Sequence, residues 1–167
     1  MAKLRAQLFG SGAILNEALK AQKLLEEKYD VAADVWSITS YKELYRDGHE
    51  VERWNRLHPN EPPRVPYVST CLQDAPGVFV AASDYVKALP DSISRWFPRP
   101  LVSLGTDGFG RSDSRSALRD FFEVDARHIT LATLASLLRE KKVKPELVQK
   151  AIQEMEINPE KANPMSA

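Results

Sequence analysis

Nine consecutive residues, Gly105-Thr106-Asp107-Gly108-Phe109-Gly110-Arg111-Ser112-Asp113, bring together three glycines, two carboxylates, two hydroxyls and a guanidinium. Glycines let a backbone take positive φ and come close to a ligand, and Asp107 and Arg111 could fix a polar or anionic group. The stretch directly follows the apolar run Leu101, Val102, Leu104. A strand that runs into a glycine-rich loop and then a helix is where open α/β sheets place their ligand crevice. A structural reading stands beside this one. Asp107 and Asp113 could accept backbone N–H bonds, Asp113 could cap the next helix, and Phe109 could plug into a neighbouring surface. The loop holds no general base or nucleophile, which tips the balance toward a structural or interface role.

A second polar cluster runs from Asp47 through Gly48, His49, Glu50, Glu52, Arg53 and Trp54 to Asn55. Read as following a glycine turn, it could be a recognition patch, since Trp and Arg are enriched at interface hot spots. It could equally be a solvated helix start with Trp54 tucked into the core. Other chemistries lack their residues. His49, His58 and His128 show no metal-ligand spacing. No G-x-S-x-G elbow or Walker loop occurs, and Cys71 has no base beside it in sequence. Gly10-Ser11-Gly12 opens like a dinucleotide-binding turn, but Leu15 stands where the third glycine belongs.

The elements that must hold these clusters follow from periodicity. Leu4 to Phe9 reads as a buried strand, and the glycine turn leads into a long helix with Ile14, Leu15, Ala18, Leu19, Leu24 and Leu25 inward. Asn16, Glu17, Lys20, Lys23, Glu26 and Glu27 are expected outward. Val31 to Ile38 reads as a second strand, completing a right-handed βαβ unit with parallel strands. Tyr41 to Arg46 and Glu50 to Leu57 read as two short helices, and the prolines of His58 to Pro66 impose an extended loop. Gly77 to Ala82 is a third strand, and Asp84 to Phe97 reads as a helix with Ser83 as its N-cap. Leu101 to Leu104 is a fourth strand. Helices follow near Ser114 to Phe122, Ala126 to Lys141 and Pro145 to Met155, and Asn158 to Ala167 reads as a loose tail. The expected fold is a doubly wound α/β domain over residues 1–157, with a mostly parallel sheet of four or five strands, helices on both faces and a helical C-terminal third. Residues 158–167 form the tail.

Lys plus Arg and Asp plus Glu number 23 each, so the chain carries no net charge. That balance disfavours a nucleic-acid or anionic-membrane surface. The single cysteine excludes an internal disulfide and fits a reducing compartment. No apolar run approaches a bilayer span, and Met1-Ala2-Lys3 leads straight into a strand without signal-peptide architecture. A cytoplasmic protein is expected.

The string Gly105 to Asp113, the segments Arg46-Asp47-Gly48 and Glu52-Arg53-Trp54-Asn55, Leu57-His58-Pro59, and Pro63-Arg64-Val65-Pro66-Tyr67 together carry a resemblance. With Phe122-Glu123-Val124-Asp125-Ala126 and Asn163-Pro164, the chain resembles, nearly end to end, the C-terminal domain of bacterial homodimeric pyruvate dehydrogenases. These are the thiamine-diphosphate-dependent first components of the pyruvate dehydrogenase complex. The resemblance implies a transketolase-like C-terminal fold and a longer enzyme in which two preceding domains bind thiamine diphosphate and magnesium. This chain has no Gly-Asp-Gly followed at the proper distance by paired asparagines, so it reads as a split product or an excised domain. The implied reaction is oxidative decarboxylation of pyruvate with acetyl transfer to a lipoyl group on the second component. The implied partners are the preceding domains, a second subunit and the lipoyl-bearing core. The matching positions are Asp107, Phe109, Arg111 and Asp113, with Asp47, His49, Glu52, Arg53 and Trp54 from the earlier patch. They are expected to serve structure or interfaces, and none transfers as a catalytic, cofactor or metal residue.

Overall fold

In a computed structural model of the chain, residues 4–167 are described; Met1, Ala2 and Lys3, where the signal-peptide reading begins, lie outside them. The strands are β1 (Leu4–Gly10), β2 (Val31–Ser37), β3 (Val78–Ala82) and β4 (Leu101–Leu104). The helices are α1 (Leu15–Tyr29), α2 (Tyr41–Leu57), α3 (Tyr67–Leu72), α4 (Ala88–Asp91), α5 (Arg115–Phe121), α6 (Ala126–Arg139) and α7 (Pro145–Glu154). The strands pair in the order β2-β1-β3-β4, all parallel. The direction in which successive strands are added reverses between β1 and β3, which makes the carboxyl ends of those two strands the topological switch point.

Side-chain alternation sorts the strands onto two apolar layers. Ala6, Leu8, Val78, Val80 and Ala82 face one layer, with Ile14, Ala18, Leu25, Ile129, Leu134, Leu137 and Ala151 from α1, α6 and α7. Phe9, Phe79 and Ala81 face the other, with Tyr41, Val68, Leu72, Ile93 and Trp96. Helices therefore cover both faces, as the doubly wound pattern requires. The polar Gln7 in central β1 is fully buried and fully used. Its amide nitrogen donates to Asp34 Oδ2 (2.8 Å) and Pro76 O (3.1 Å), and its oxygen accepts from Trp36 Nε1 (2.7 Å).

Four local expectations give way to the structure. The two short helices are one, α2, running through Gly48 without a break. A Cβ at residue 48 would meet three atoms of the Trp96 indole at 2.5 Å, so glycine is there for a close approach and not for a turn. The Asp84 to Phe97 helix shrinks to α4 and a 3-10 turn at Ser94–Trp96. The 84–87 stretch is diverted because Tyr85 O accepts from Thr106 N and Lys87 N donates to Asp107. Ser83 is consequently no helix cap; its hydroxyl accepts from Tyr85 N and from Ser11. The short α3, with Val68 and Leu72 buried one turn apart, adds an element to the expected set. Finally, Glu17 and Leu19 exchange roles: Leu19 is largely exposed and Glu17 is buried.

Residues 158–167 form turns tethered to the body. Lys161 Nζ donates to the carbonyls of Asp120 (2.6 Å) and Phe121 (3.2 Å), and pairs with Glu123. Among the described residues, no helix is long and apolar enough to cross a membrane.

Candidate functional site

The glycine-rich loop leaves β4 beside the switch point and is fixed at its near end. Thr106 N donates to Tyr85 O at 2.9 Å, and Asp107 accepts from Lys87 N at 3.1 Å with the Lys87 ammonium 3.7 Å away. Asp107 thus holds the connection after β3 to the loop after β4. Gly108 has φ of 82°, and a Cβ there would lie 2.9 Å from Pro164 O, so the tail is seated against the loop. Phe109 points away from all of this and is 89% exposed. Arg111 turns back, its guanidinium 3.9 Å above the Phe121 ring. Asp113 accepts from Ser114 N at 2.6 Å, but the helix cap is Ser114, whose hydroxyl accepts from Ala117 N. The expected Asp113 cap is thus displaced by one residue.

The loop also gathers apolar surface. Tyr85 (61% exposed) precedes the segment pinned to Asp107, and Met165 (64% exposed) lies in the tail segment against Gly108. Three exposed large side chains, Tyr85, Phe109 and Met165, therefore sit on segments that the loop holds together. Exposed apolar side chains gathered on neighbouring segments are of the kind found at interaction surfaces.

The Asp47 cluster lies elsewhere, along α2, and is largely spoken for. Asp47 accepts from Tyr67 N at 2.7 Å and so anchors the start of α3. Glu52 accepts from Trp96 Nε1 at 2.8 Å and pairs with Arg95 at 3.2 Å. His49 meets the edge of Trp96, with ring centroids 5.2 Å apart. Trp54 is half-buried, sandwiched between Arg64 at 3.8 Å and the His58 ring at 4.4 Å. Asn55 locks the same segment by exchanging two hydrogen bonds with the backbone of Arg64. Glu50 and Arg53 are the exposed members of this group, and neither side chain makes an ion pair or hydrogen bond among the described residues. The two clusters that stand out in the sequence are thus not brought into one site.

A third constellation escaped the sequence reading. Buried Glu17 accepts from Lys20 Nζ (2.8 Å), Arg119 (3.0 Å) and Ala126 N (3.1 Å), tying α1 to α5 and to the start of α6. Next to it, Asp125 caps α6 through His128 N and contacts His128 Nδ1 (2.8 Å) and Arg127 (2.7 Å). Arg127 also pairs with Asp120. Burial pushes the Asp125 carboxyl up, but the bonds from His128 and Arg127 outweigh it and hold the group at about 2. Asp120, Asp125 and His128 come close enough together to suggest metal ligands. The Arg127 guanidinium already occupies both carboxylates, so the group is a helix-capping hub.

Residues 2–125 match the family described as the Transketolase-like TK C-terminal domain. The pyruvate dehydrogenase E1 component of Pseudomonas aeruginosa is 49% identical over 160 residues, which cover 95% of this chain and 18% of that protein. The corresponding protein of Escherichia coli is 45% identical over 166 residues, covering 99% of this chain and 18% of its own length. That of Mycolicibacterium smegmatis is 42% identical over 153 residues, covering 92% and 16%. The chain thus spans less than one fifth of these relatives. Among solved structures, an inactive tetramer of a split-gene transketolase superimposes with a TM-score of 0.54 at 21% identity, over 81% of this chain and 40% of that one. Transketolase from Leishmania mexicana gives 0.52 at 18% identity, over 83% and 17%. These two likenesses are of fold.

Proposed function

This chain belongs to the transketolase-like C-terminal domain family, and from that premise we propose that it is the non-catalytic C-terminal domain of a pyruvate dehydrogenase E1 component. The observation that carries this reading is identity of 42–49% to such proteins along nearly the whole chain, with less than a fifth of their length covered. In the intact enzyme, thiamine diphosphate held by the preceding domains would supply the chemistry for decarboxylating pyruvate, and the acetyl group would pass to a lipoyl group on the next component. The domain's own part is packing against the preceding cofactor-binding domains and a second subunit of a cytoplasmic homodimer.

The candidate metal ligands present do not fit magnesium. Among the described residues, the one cluster with three metal-ligand side chains is filled by the Arg127 guanidinium, which would repel a dication. No step of the reaction is therefore assigned to this chain. What it offers is surface. Phe109, Tyr85 and Met165 form an apolar face that a neighbouring domain would cover, while Asp107 and Asp113 keep the loop in shape beneath it. On α2, the unpartnered Arg53 is the residue best placed to meet the lipoyl-bearing core.

Two measurements test this reading. The isolated chain, given pyruvate, thiamine diphosphate and magnesium, is expected to produce no carbon dioxide; turnover would overturn the non-catalytic assignment. Co-expressed with the remainder of the enzyme, the wild-type chain is expected to co-purify with it, and Phe109→Asp to lose that association while staying folded. Undiminished co-purification of the variant would remove the apolar face from the interface.

A further inference from the structure

A cleft of about 420 Å³ opens at the carboxyl ends of the strands, between the turn after β1, the connections after β3 and β4, and the flank of α5. Its position is the switch point at which open parallel sheets bind ligands. Three arginines reach it: Arg111, Arg115 and Arg119. Arg119 is neutralised by buried Glu17. Arg111 and Arg115 have no carboxylate partner among the described residues, and the Arg115 guanidinium makes no hydrogen bond there. The Phe121 ring covers one face of the Arg111 guanidinium, which leaves the N–H edges of that group available to an acceptor.

The rest of the lining defines what else the cleft accepts. Ile14, Leu118 and Phe122 form an apolar floor, and Asp84 stands on the wall contributed by the connection after β3. With Arg119 and Glu17 cancelling, two guanidiniums face one carboxylate, an excess of a single positive charge. That balance suits a monoanion on an apolar body better than a phosphate dianion or a tricarboxylate, whose further charges would face Asp84.

We propose that this cleft binds a small organic monocarboxylate, its carboxylate held by Arg111 and Arg115 and its apolar part laid on Ile14, Leu118 and Phe122. Guanidinium and carboxylate meet through paired parallel hydrogen bonds, so the two arginines set the ligand's orientation as well as its charge. The site is independent of the domain packing proposed above. Phe109 faces outward for that role, whereas the cleft lies behind the loop on the side of α5.

The test is a titration of the 167-residue chain with sodium benzoate, followed by two-dimensional nuclear magnetic resonance of backbone amides and arginine Nε–H groups. Benzamide, inorganic phosphate and citrate are titrated alongside. Benzoate is expected to give saturable shifts at Arg111, Arg115, Gly110 and Leu118, and benzamide none there. Arg115→Gln is expected to weaken benzoate binding at least about fivefold, and Arg115→Lys to restore part of it. Arg115 is exposed on α5, so its variants should keep the wild-type amide spectrum away from the cleft. The proposal is overturned if benzoate gives no saturable shifts, if benzamide binds as well, or if phosphate or citrate binds more tightly. Unchanged benzoate affinity in Arg115→Gln would overturn it too.

Discussion

Replacing Glu17 with alanine removes a carboxylate that is 5% exposed and serves three donors at once. The cost follows from what is left behind. Arg119, with its side chain 23% exposed, loses its only carboxylate at 3.0 Å, and a hydrogen bond between charged groups contributes roughly 1.5–3 kcal/mol. Ala126 N–H loses its side-chain acceptor at the start of α6, worth about 1 kcal/mol. Lys20 is well exposed, and its share is discounted to a few tenths of a kcal/mol. The sum is about 3–4 kcal/mol, in line with the cost of breaking a buried ion pair from one side. At a urea slope of about 2 kcal/mol/M, the unfolding midpoint should fall by about 1.5–2 M. Glu17→Gln, which keeps the shape and one acceptor oxygen, should lose about half as much. Urea denaturation followed by circular dichroism reads both. A double-mutant cycle with Arg119→Ala should show coupling of about 1–3 kcal/mol. A loss below about 1 kcal/mol in Glu17→Ala, or no coupling to Arg119, would refute the claim that this carboxylate clamps α1 to α5 and α6.

Three further outcomes are expected. Gly48→Ala gains helix propensity but drives a methyl group into the Trp96 indole; a net loss of about 1–3 kcal/mol should appear in the same denaturation assay, and a neutral result would contradict the close approach. The Asp125 carboxyl, held at about 2 against an ordinary value near 3.9, favours the folded state above roughly pH 4 and loses that contribution as pH falls toward 2. After allowance for its partial exposure this amounts to about 1–2 kcal/mol, and Asp125→Asn should flatten the fall in stability over that interval; an unchanged slope would assign it to other groups. Trp54→Ala removes the surface that Arg64 and His58 sandwich, so limited proteolysis should begin to cut within residues 58–66; continued resistance there would show that the Asn55 bonds suffice alone.

The parts of this fold that are legible in the sequence depend on neighbours close along the chain. The alternation in Leu4 to Phe9, the glycine turn and the amphipathic run after it predict the βαβ unit, and Pro145 marks the start of the last helix. What the sequence conceals depends on partners far away. Gly48 reads as a turn because its reason for being glycine is an indole 48 positions later. The residues after Ser83 have a helical pattern, but their backbone groups are drawn off by Thr106 and Asp107. Glu17 reads as a solvent-facing acid because Arg119 and Ala126 are more than a hundred residues distant. The loop at Gly105 is visible as unusual, yet only the structure separates its inward Asp107 from its outward Phe109. Of the cleft arginines, Arg111 stands out in the sequence as part of the glycine-rich loop, whereas Arg115 and Arg119 give no local signal, because what brings them to the cleft is the fold.

The strand order has a consequence for how the chain acquires its fold. Central β1 is made first and can zip onto β2 as soon as residue 37 is available, but its other edge waits for β3, which begins at Val78. Through that interval one side of this central strand presents unpaired backbone groups, a template for another nascent copy. Closure of this edge should be the slow, sequence-distant step of folding. During synthesis the βαβ half would form early and stay vulnerable until the segment ending at Ala82 arrives to seal it.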